Sequence, residues 1–488
     1  MVWLLFGLFL ALLYFYDKYK LSYWRRKGVK SAETVPFFGH WLPVFLAKKF
    51  AGTTYKEFYW QFKDERYFGV YEYHRPTLVL RDLKLVQDVL VKDFPHFSDH
   101  PNWLFDGKSY ARHSPFRENG NLWRAIRYKF TPTFSASRMT LALRRILSSV
   151  SIDLKEGEIE AKDFLNRFSA YALAAYFATE IRGMDNFQHI MRQQFIVSPL
   201  RYLEFQILEH FPKLGKLIGA RFIHEPLNKV YEQVLGDFAN GPSEFNELVA
   251  KIRKDGAMQL NAKDFDVSGD RAEVFKFDLS DELVHGHVSQ FVLGGLDTTS
   301  NAMAMVAYEV AKRPDVQAKI RAELTASLAK YGGQWTYEMI RDLKYLHSVL
   351  NESARIKPVL PFLFRVVTKD YTFDDGLTLK KGDKVVIPSI AFQTDPAYYE
   401  DPEEFRPERW ENVNETRNNF TWLPFGDGPR QCSGMRFAIL EMKLIFAKIL
   451  FDYEMTLSEK FKEPLKYHPR TFLTQIDGPL YINLKKLK

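Results

Sequence analysis

Cys432 is the single cysteine in a chain of 488 residues, and no other feature narrows the choice of folds so far. One thiol excludes an intrachain disulfide framework, a multi-cysteine zinc site and a cysteine-ligated iron–sulfur cluster. Stability must come from a packed core, and the composition supplies one. Hydrophobic residues make up 46% and aromatics 16%, with 42 Phe, which argues against global disorder. At roughly 100–200 residues per domain the length suggests about three domains, or one large fold. A lone cysteine is by default a small buried hydrophobe. Its surroundings decide whether Cys432 is more.

Charge adds a weak constraint. There are 68 basic and 60 acidic side chains, a net charge of +8. That bias suits an anionic membrane surface, an acidic protein partner or nucleic acid. No basic run is interleaved with aromatics, so nucleic acid is set aside. From Met1 to Tyr16 no side chain is charged, and Lys18, Lys20, Arg25, Arg26, Lys27 and Lys30 follow. A helix of that length rises ~24 Å, short of a ~30 Å hydrocarbon core, with Trp3, Tyr14, Tyr16 and Tyr19 suited to the interfaces. Positive charge after the apolar run, without a small-residue cleavage site, favours a retained anchor over a cleaved signal. Residues 1–20 are therefore expected to anchor the chain in a membrane, with its bulk facing the cytoplasm. A basic, proline-containing linker (21–45) and one large domain (46–488) follow.

Within that domain, Gly69–Tyr73 and Thr77–Arg81 read as a strand pair. Most of Trp123 to Lys357 is helical in period, with breaks near Pro199, Pro212 and Gly241-Pro242. Asn261–Asp270 reads as a loop. Phe211–Ile223 mixes apolar residues, Gly and cations, as a membrane-surface segment or a helix–helix loop would. After Pro358 come short strands and turns, then one more helix beyond Cys432. The expected fold class is mainly α with a minor β part.

The loop around Cys432 runs Phe425-Gly426-Asp427-Gly428-Pro429-Arg430-Gln431-Cys432-Ser433-Gly434. Two glycines permit positive φ and close approach to a flat ligand. Arg430 offers a fork of donors to a carboxylate. An apolar-periodic helix follows, so the sulfur sits near a helix N-terminus, where a thiolate is stabilised. Such a thiolate serves as a nucleophile or as a metal ligand. A dinucleotide loop is excluded, because its third glycine falls at Gln431.

This segment resembles the haem-binding loop of the cytochrome P-450 haem-thiolate monooxygenases, F-x-x-G-x-R-x-C-x-G, at every fixed position. The resemblance implies a cytochrome P-450 fold binding haem b (iron protoporphyrin IX). Cys432 would be the axial iron ligand, Arg430 would bind a propionate, and Phe425 and Gly434 would complete the loop. Ser433 departs from the apolar residue commoner there.

Other motifs agree with it. Glu352 and Arg355 stand at i, i+3 on one helix face, which alone reads as a solvated ion pair. The family's E-x-x-R pair joins an Arg from a P-E-R-[FW] segment, here Pro407-Glu408-Arg409-Trp410. Glu352, Arg355 and Arg409 would then form a buried structural network. Trp123 and Arg127, alone an ordinary cation–aromatic pair, match family residues on the propionates, as does Arg365. His100 stands where many relatives carry an Arg, which implies weaker, pH-sensitive pairing. Gly294-Gly295-Leu296-Asp297-Thr298-Thr299 sits within roughly 32 helical residues, ~48 Å, between Asp281 and Pro314. Two central glycines signal a helix distortion or a packing notch. The segment is similar to the family's A-G-x-[DE]-T-T motif, with Gly294 for Ala, and implies that Asp297 and Thr298 relay protons during dioxygen use.

The resemblance extends from the anchor to the C-terminus and is nearest to microsomal animal detoxifying members, particularly of insects. It implies an endoplasmic reticulum membrane location and a lipophilic substrate that is hydroxylated or epoxidised. No nicotinamide or flavin motif is evident, so electrons from NADPH would arrive through a separate NADPH–cytochrome P-450 reductase, with cytochrome b5 a second donor. A haem-thiolate isomerase or dehydratase, needing no external electrons, and a non-enzymatic membrane-anchored haem-binding protein are the alternatives. The Asp297–Thr298 pair argues against the first, and the second requires no such pair. Sequons at Asn351, Asn414 and Asn419 read as chance matches. The substrate-contact regions are expected near Pro101–Asn119 and Arg192–Phe222.

Overall fold

A computed structural model describes residues 1–101, 113–149, 154–179, 198–221, 225–261, 274–411 and 419–487. Parts of both expected substrate-contact regions, most of the 261–270 loop, residues 222–223 and the Asn414 sequon lie outside these. The chain is mainly helical with a minor sheet part. The helices that frame the site are α1 (Val2–Lys20), α2 (Gly120–Phe130), α3 (Ala161–Tyr176), α4 (Pro199–His210), α5 (residues 281–311), α6 (Lys344–Ile356) and α7 (Met435–Asp452). Pro199 and Pro212 each occupy the start of a helix, where the missing N–H costs nothing. α6 stops at Ile356, two residues before Pro358.

The strands are β1 (Tyr67–Glu72), β2 (Arg75–Leu80), β3 (Gly157–Glu160), β4 (Leu363–Val366), β5 (Lys384–Ile387), β6 (Tyr453–Leu457) and β7 (Tyr481–Lys486). They form a four-stranded sheet in the order β1-β2-β5-β4 and a three-stranded sheet in the order β6-β7-β3. β1 and β2 form the expected hairpin, with Val70 opposite Thr77. β2 runs parallel to β5, and β4 antiparallel to it. A second hairpin, Met258–Asn261 on Val274–Phe277, flanks the segment read as a loop. One apolar core packs the helices together and another packs the four-stranded sheet.

Two elements differ from expectation in detail. α1 forms over 19 residues, yet among the described residues no helix is long and apolar enough to cross a membrane. Its last turn carries Asp17, Lys18 and Lys20. Asp17 is buried against the large domain, accepting hydrogen bonds from Phe37 N (2.8 Å) and bonding His74 Nε2 (2.7 Å). α5 begins as its sequence suggests: Ser280 Oγ caps the Leu283 N–H, with Asp281 and Glu282 in the first turn. It is not uniform, however. Asp281–Phe291 and Asp297–Ala311 are α-helical, and Val292–Leu296, holding both glycines, widens into a π turn. The distortion expected from the glycine pair is present.

Candidate haem site

A cavity of ≈ 470 Å³ lies between the helical and sheet cores, and its lining includes Cys432, Arg430, Phe425 and Gly434 from the loop before α7. The loop is tied by its own backbone. Cys432 N donates to Phe425 O (2.8 Å), Gly426 N to Leu423 O (3.0 Å) and Gln431 N to Gly428 O (3.0 Å). Gly428 has φ +71°, and a Cβ there would stand 2.0 Å from Leu90 O. Only glycine satisfies both constraints. Gly434 caps α7, so Cys432 precedes the helix by three residues.

Cys432 retains accessible surface, and that surface belongs to the cavity lining. Burial pushes its thiol up; the N–H groups of Gly434 and Met435 and the charge of Arg127 pull the other way. Arg127 from α2, Arg365 from β4, Arg430 and Arg470 line the cavity with it. Arg430 is held firmly, donating to Ser98 O (2.8 Å), Pro115 O (3.3 Å), Glu118 O (2.9 Å) and Asn119 Oδ1 (2.9 Å). Its guanidinium lies 3.9 Å from the centre of the buried Trp123 ring. Trp123 and Arg127 thus both line the cavity, as their spacing suggests.

Among the described residues no carboxylate forms an ion pair with Arg127, Arg365 or Arg430. Burial lowers the Arg430 pKa well below its ordinary value, and the charges of Arg365, Arg127 and Arg124 lower it further against one carboxylate, Asp99. Arg365 is lowered to about 10 by burial, and its Nε is buried without a hydrogen-bond partner among the described residues. His100, also buried, bonds Phe116 O (2.9 Å) and Arg365 Nη1 (3.2 Å). Burial and the two arginines hold it well below its ordinary value, hence neutral. An apolar slot with a thiol on one wall, an orphaned guanidinium donor and surplus positive charge fits a flat metal macrocycle bearing carboxylates. The donor set is the one haem requires.

The distal side is set by α5. Gly294, Gly295, Thr298 and Thr299 line the cavity, and the Thr298 hydroxyl donates to the Gly294 carbonyl one turn back. Asp297 is not brought beside Thr298. It is buried, outside the lining, and its Oδ2 accepts from Gln475 Nε2 (3.1 Å). Burial pushes its carboxyl up to about 7, opposed by the Lys162 charge and the Gln475 bond. Adjacent residues on a helix diverge by about 100°. Gln475 lies 178 positions away in sequence, and no local pattern announces that contact.

The expected charge network is present, with Glu352 and Arg355 fully buried. Arg355 grips Glu352 through Nε–Oε2 (2.9 Å) and Nη2–Oε1 (2.8 Å), and donates from Nη1 to Gln393 O and Pro402 O (both 2.7 Å). Arg409 Nε reaches Glu352 Oε1 at 2.8 Å. Trp410 Nε1 adds a bond to Glu352 Oε2 (2.8 Å), and Arg406 N one to Oε1 (3.0 Å). Trp410 lies in the motif that contributes Arg409, but its part was not read from the sequence. Asn351, one of the sequons, sits on α6 and lines the same cavity.

A family model described as "Cytochrome P450" matches residues 30–483. The chain is similar to cytochrome P450 6B1 of Papilio polyxenes, 29% identical over 492 residues, covering 97% of each. It is similar to probable cytochrome P450 6a13 of Drosophila melanogaster, 29% identical over 509 residues, covering 98% of this chain and 97% of that one. Cytochrome P450 6k1 of Blattella germanica is 27% identical over 483 residues, with 94% and 92% covered.

Proposed function

This chain belongs to the cytochrome P450 family, as a monooxygenase of its insect-like branch, and from that premise we propose that it oxidises a small lipophilic substrate with electrons passed from NADPH by a separate reductase. The observation that carries the proposal is the Cys432 thiol facing a cavity that also holds Arg127, Arg365 and Arg430. Cys432 would hold the haem iron. Arg127, Arg365, Arg430 and Trp123 would hold the propionates, and Phe425 and Gly434 would shape the loop beneath. Bound haem supplies reductive activation of dioxygen, which thiolate donation favours.

The remaining roles belong to the chain's own groups. Glu352, Arg355 and Arg409 brace α6 against the 407–410 turn. Thr298 Oγ1, resting on the Gly294 carbonyl, orients a donor over the cavity. Asp297, whose carboxyl faces Gln475 and Lys162 and not the cavity, would hold a proton on that side of α5. Apolar side chains on the walls favour a lipophilic substrate and exclude water.

We place the chain on the endoplasmic reticulum membrane, facing the cytoplasm. α1 supports this with exposed Trp3, Leu4 and Phe15, and Leu200, Leu217 and Ile218 add exposed apolar surface. The mild positive charge suits an acidic reductase surface, with cytochrome b5 a second donor. The test is Thr298→Ala, assayed with reductase and NADPH. Product per NADPH is expected to fall severalfold while NADPH consumption persists. Full coupling in the variant with a good substrate would remove the proton-relay role.

A further inference from the structure

The cavity that holds Cys432 has a second polar region, formed where α4 meets the four-stranded sheet. Glu72 at the end of β1, Lys384 at the start of β5, and Gln206 and Glu209 on α4 all contribute to its lining. Glu72 and Lys384 satisfy each other: Lys384 Nζ donates to both carboxylate oxygens, at 2.7 and 2.8 Å. The Tyr55 hydroxyl donates to the same carboxylate.

Gln206 and Glu209 differ from that pair. Three positions apart on α4, they lie on one helix face. Gln206 is 7% exposed. Its Oε1 accepts from the Tyr73 hydroxyl (3.2 Å), while its amide nitrogen donates to no described group. The Glu209 side chain keeps 21% of its surface, and its carboxylate accepts no hydrogen bond among the described residues. Among the described residues the nearest basic atom is His210 Nε2 at 3.8 Å, on an imidazole that burial keeps neutral. Burial, reinforced by the Glu72 charge, pushes the Glu209 carboxyl up to about 7, against the pull of Lys384 and Arg75. A carboxylate that accepts no hydrogen bond and a carboxamide nitrogen that donates none among the described residues, in a largely apolar cavity, are costly unless a ligand completes them.

We propose that Gln206 and Glu209 form a substrate-binding subsite for the hydrogen-bond-donating end, ammonium or hydroxyl, of a lipophilic molecule whose remaining length lies toward Cys432. Glu209 accepts the hydrogen, and Gln206 Nε2 donates to a hydroxyl oxygen where there is one. This deepens the monooxygenase reading of the same cavity and rests on it.

The test uses the haem-loaded full chain and three chain-matched probes: dimethyloctylamine, octanol and the isostere 2-methyldecane. Affinity is measured by equilibrium dialysis, so that it does not depend on turnover. Glu209→Gln and Glu209→Leu are expected to weaken amine binding about tenfold and to change hydrocarbon binding less than twofold. Octanol binding should fall in Glu209→Leu and in Gln206→Leu. Loss for the amine alone identifies the ammonium as the natural donor; loss for both identifies a donor of either kind. Equal effects on amine and hydrocarbon, or no effect on either, would overturn the subsite. Should Glu209→Leu not fold, the isosteric Glu209→Gln and the Gln206→Leu variant still decide. The reduced, CO-bound spectrum is read on every protein. Indifferent probes with an intact thiolate band overturn the subsite alone, whereas a wild-type protein without that band overturns the reading beneath it.

Discussion

Asp297 and Glu441 are buried carboxyls whose pKa values burial pushes up. Glu441, on α7, is pushed up to about 8 by burial, with the Ser169 hydroxyl pulling weakly down. Its ordinary value is 4.5. Between those values the folded chain keeps a proton that the unfolded chain releases. This stabilisation is therefore complete below the ordinary value and is lost as pH rises through about 8. Unfolding free energy should fall with rising pH across this window, by at most about 1.4 kcal/mol per pH unit from this group. Glu441→Gln should flatten the fall, as read from denaturant midpoints at several pH values. An unchanged slope would mean that the carboxyl is solvated.

The same scale shows what a sequence reveals and what it hides. Cys432, Arg430 and Gly428 were legible because a loop that closes under a flat ligand fixes residue types at short, constant spacing. The i, i+3 spacing of Glu352 and Arg355 read by itself as a solvated ion pair, and their burial was expected only from the family resemblance. The direction of Asp297 was not legible, because it depends on Gln475 and Lys162 from distant segments. Glu209 was hidden for a similar reason: only the packing of α4 on the sheet gives it a cavity to face.

At the scale of elements, two glycines do different work. Gly294 lies in the π turn of α5, and an added Cβ would meet Gln290 Nε2 at 2.5 Å. That atom ends a flexible side chain. Gly294→Ala should therefore fold well, gaining up to about 1 kcal/mol of helix propensity while the Gln290 amide is displaced. Gly428 is held at φ +71° against the Leu90 carbonyl, and a rigid backbone does not yield. Gly428→Ala should lose most haem incorporation. Thermal midpoints and haem-to-protein ratios for the two variants check the contrast, and equal behaviour would contradict it. The long helix and the β1–β2 hairpin were readable from periodicity and turn residues. The 258–277 hairpin was not, because its polar connecting segment outweighed two four-residue strands.

Across the whole molecule, α1 joins an exposed apolar surface to a last turn docked on the large domain through Asp17, His74 and Phe37. Deleting residues 2–16 keeps that contact and removes the charge-free run. The deletion should shift the protein from a carbonate-resistant membrane fraction toward the soluble fraction while preserving its haem spectrum. Unchanged partition would assign membrane attachment to the surface around Leu200 and Leu217 instead.

Cys432, which shares its cavity with Arg127, Arg365 and Arg430, is proposed to hold the haem iron as a thiolate, and one measurement tests that directly. The purified, haem-loaded chain is reduced, exposed to CO and scanned for the red-shifted Soret band of a thiolate-ligated haem. The band is expected in the wild-type protein and is expected to vanish in Cys432→His with the fold retained. A folded, haem-containing wild-type protein without that band, or a Cys432→His variant that keeps it, would contradict the account.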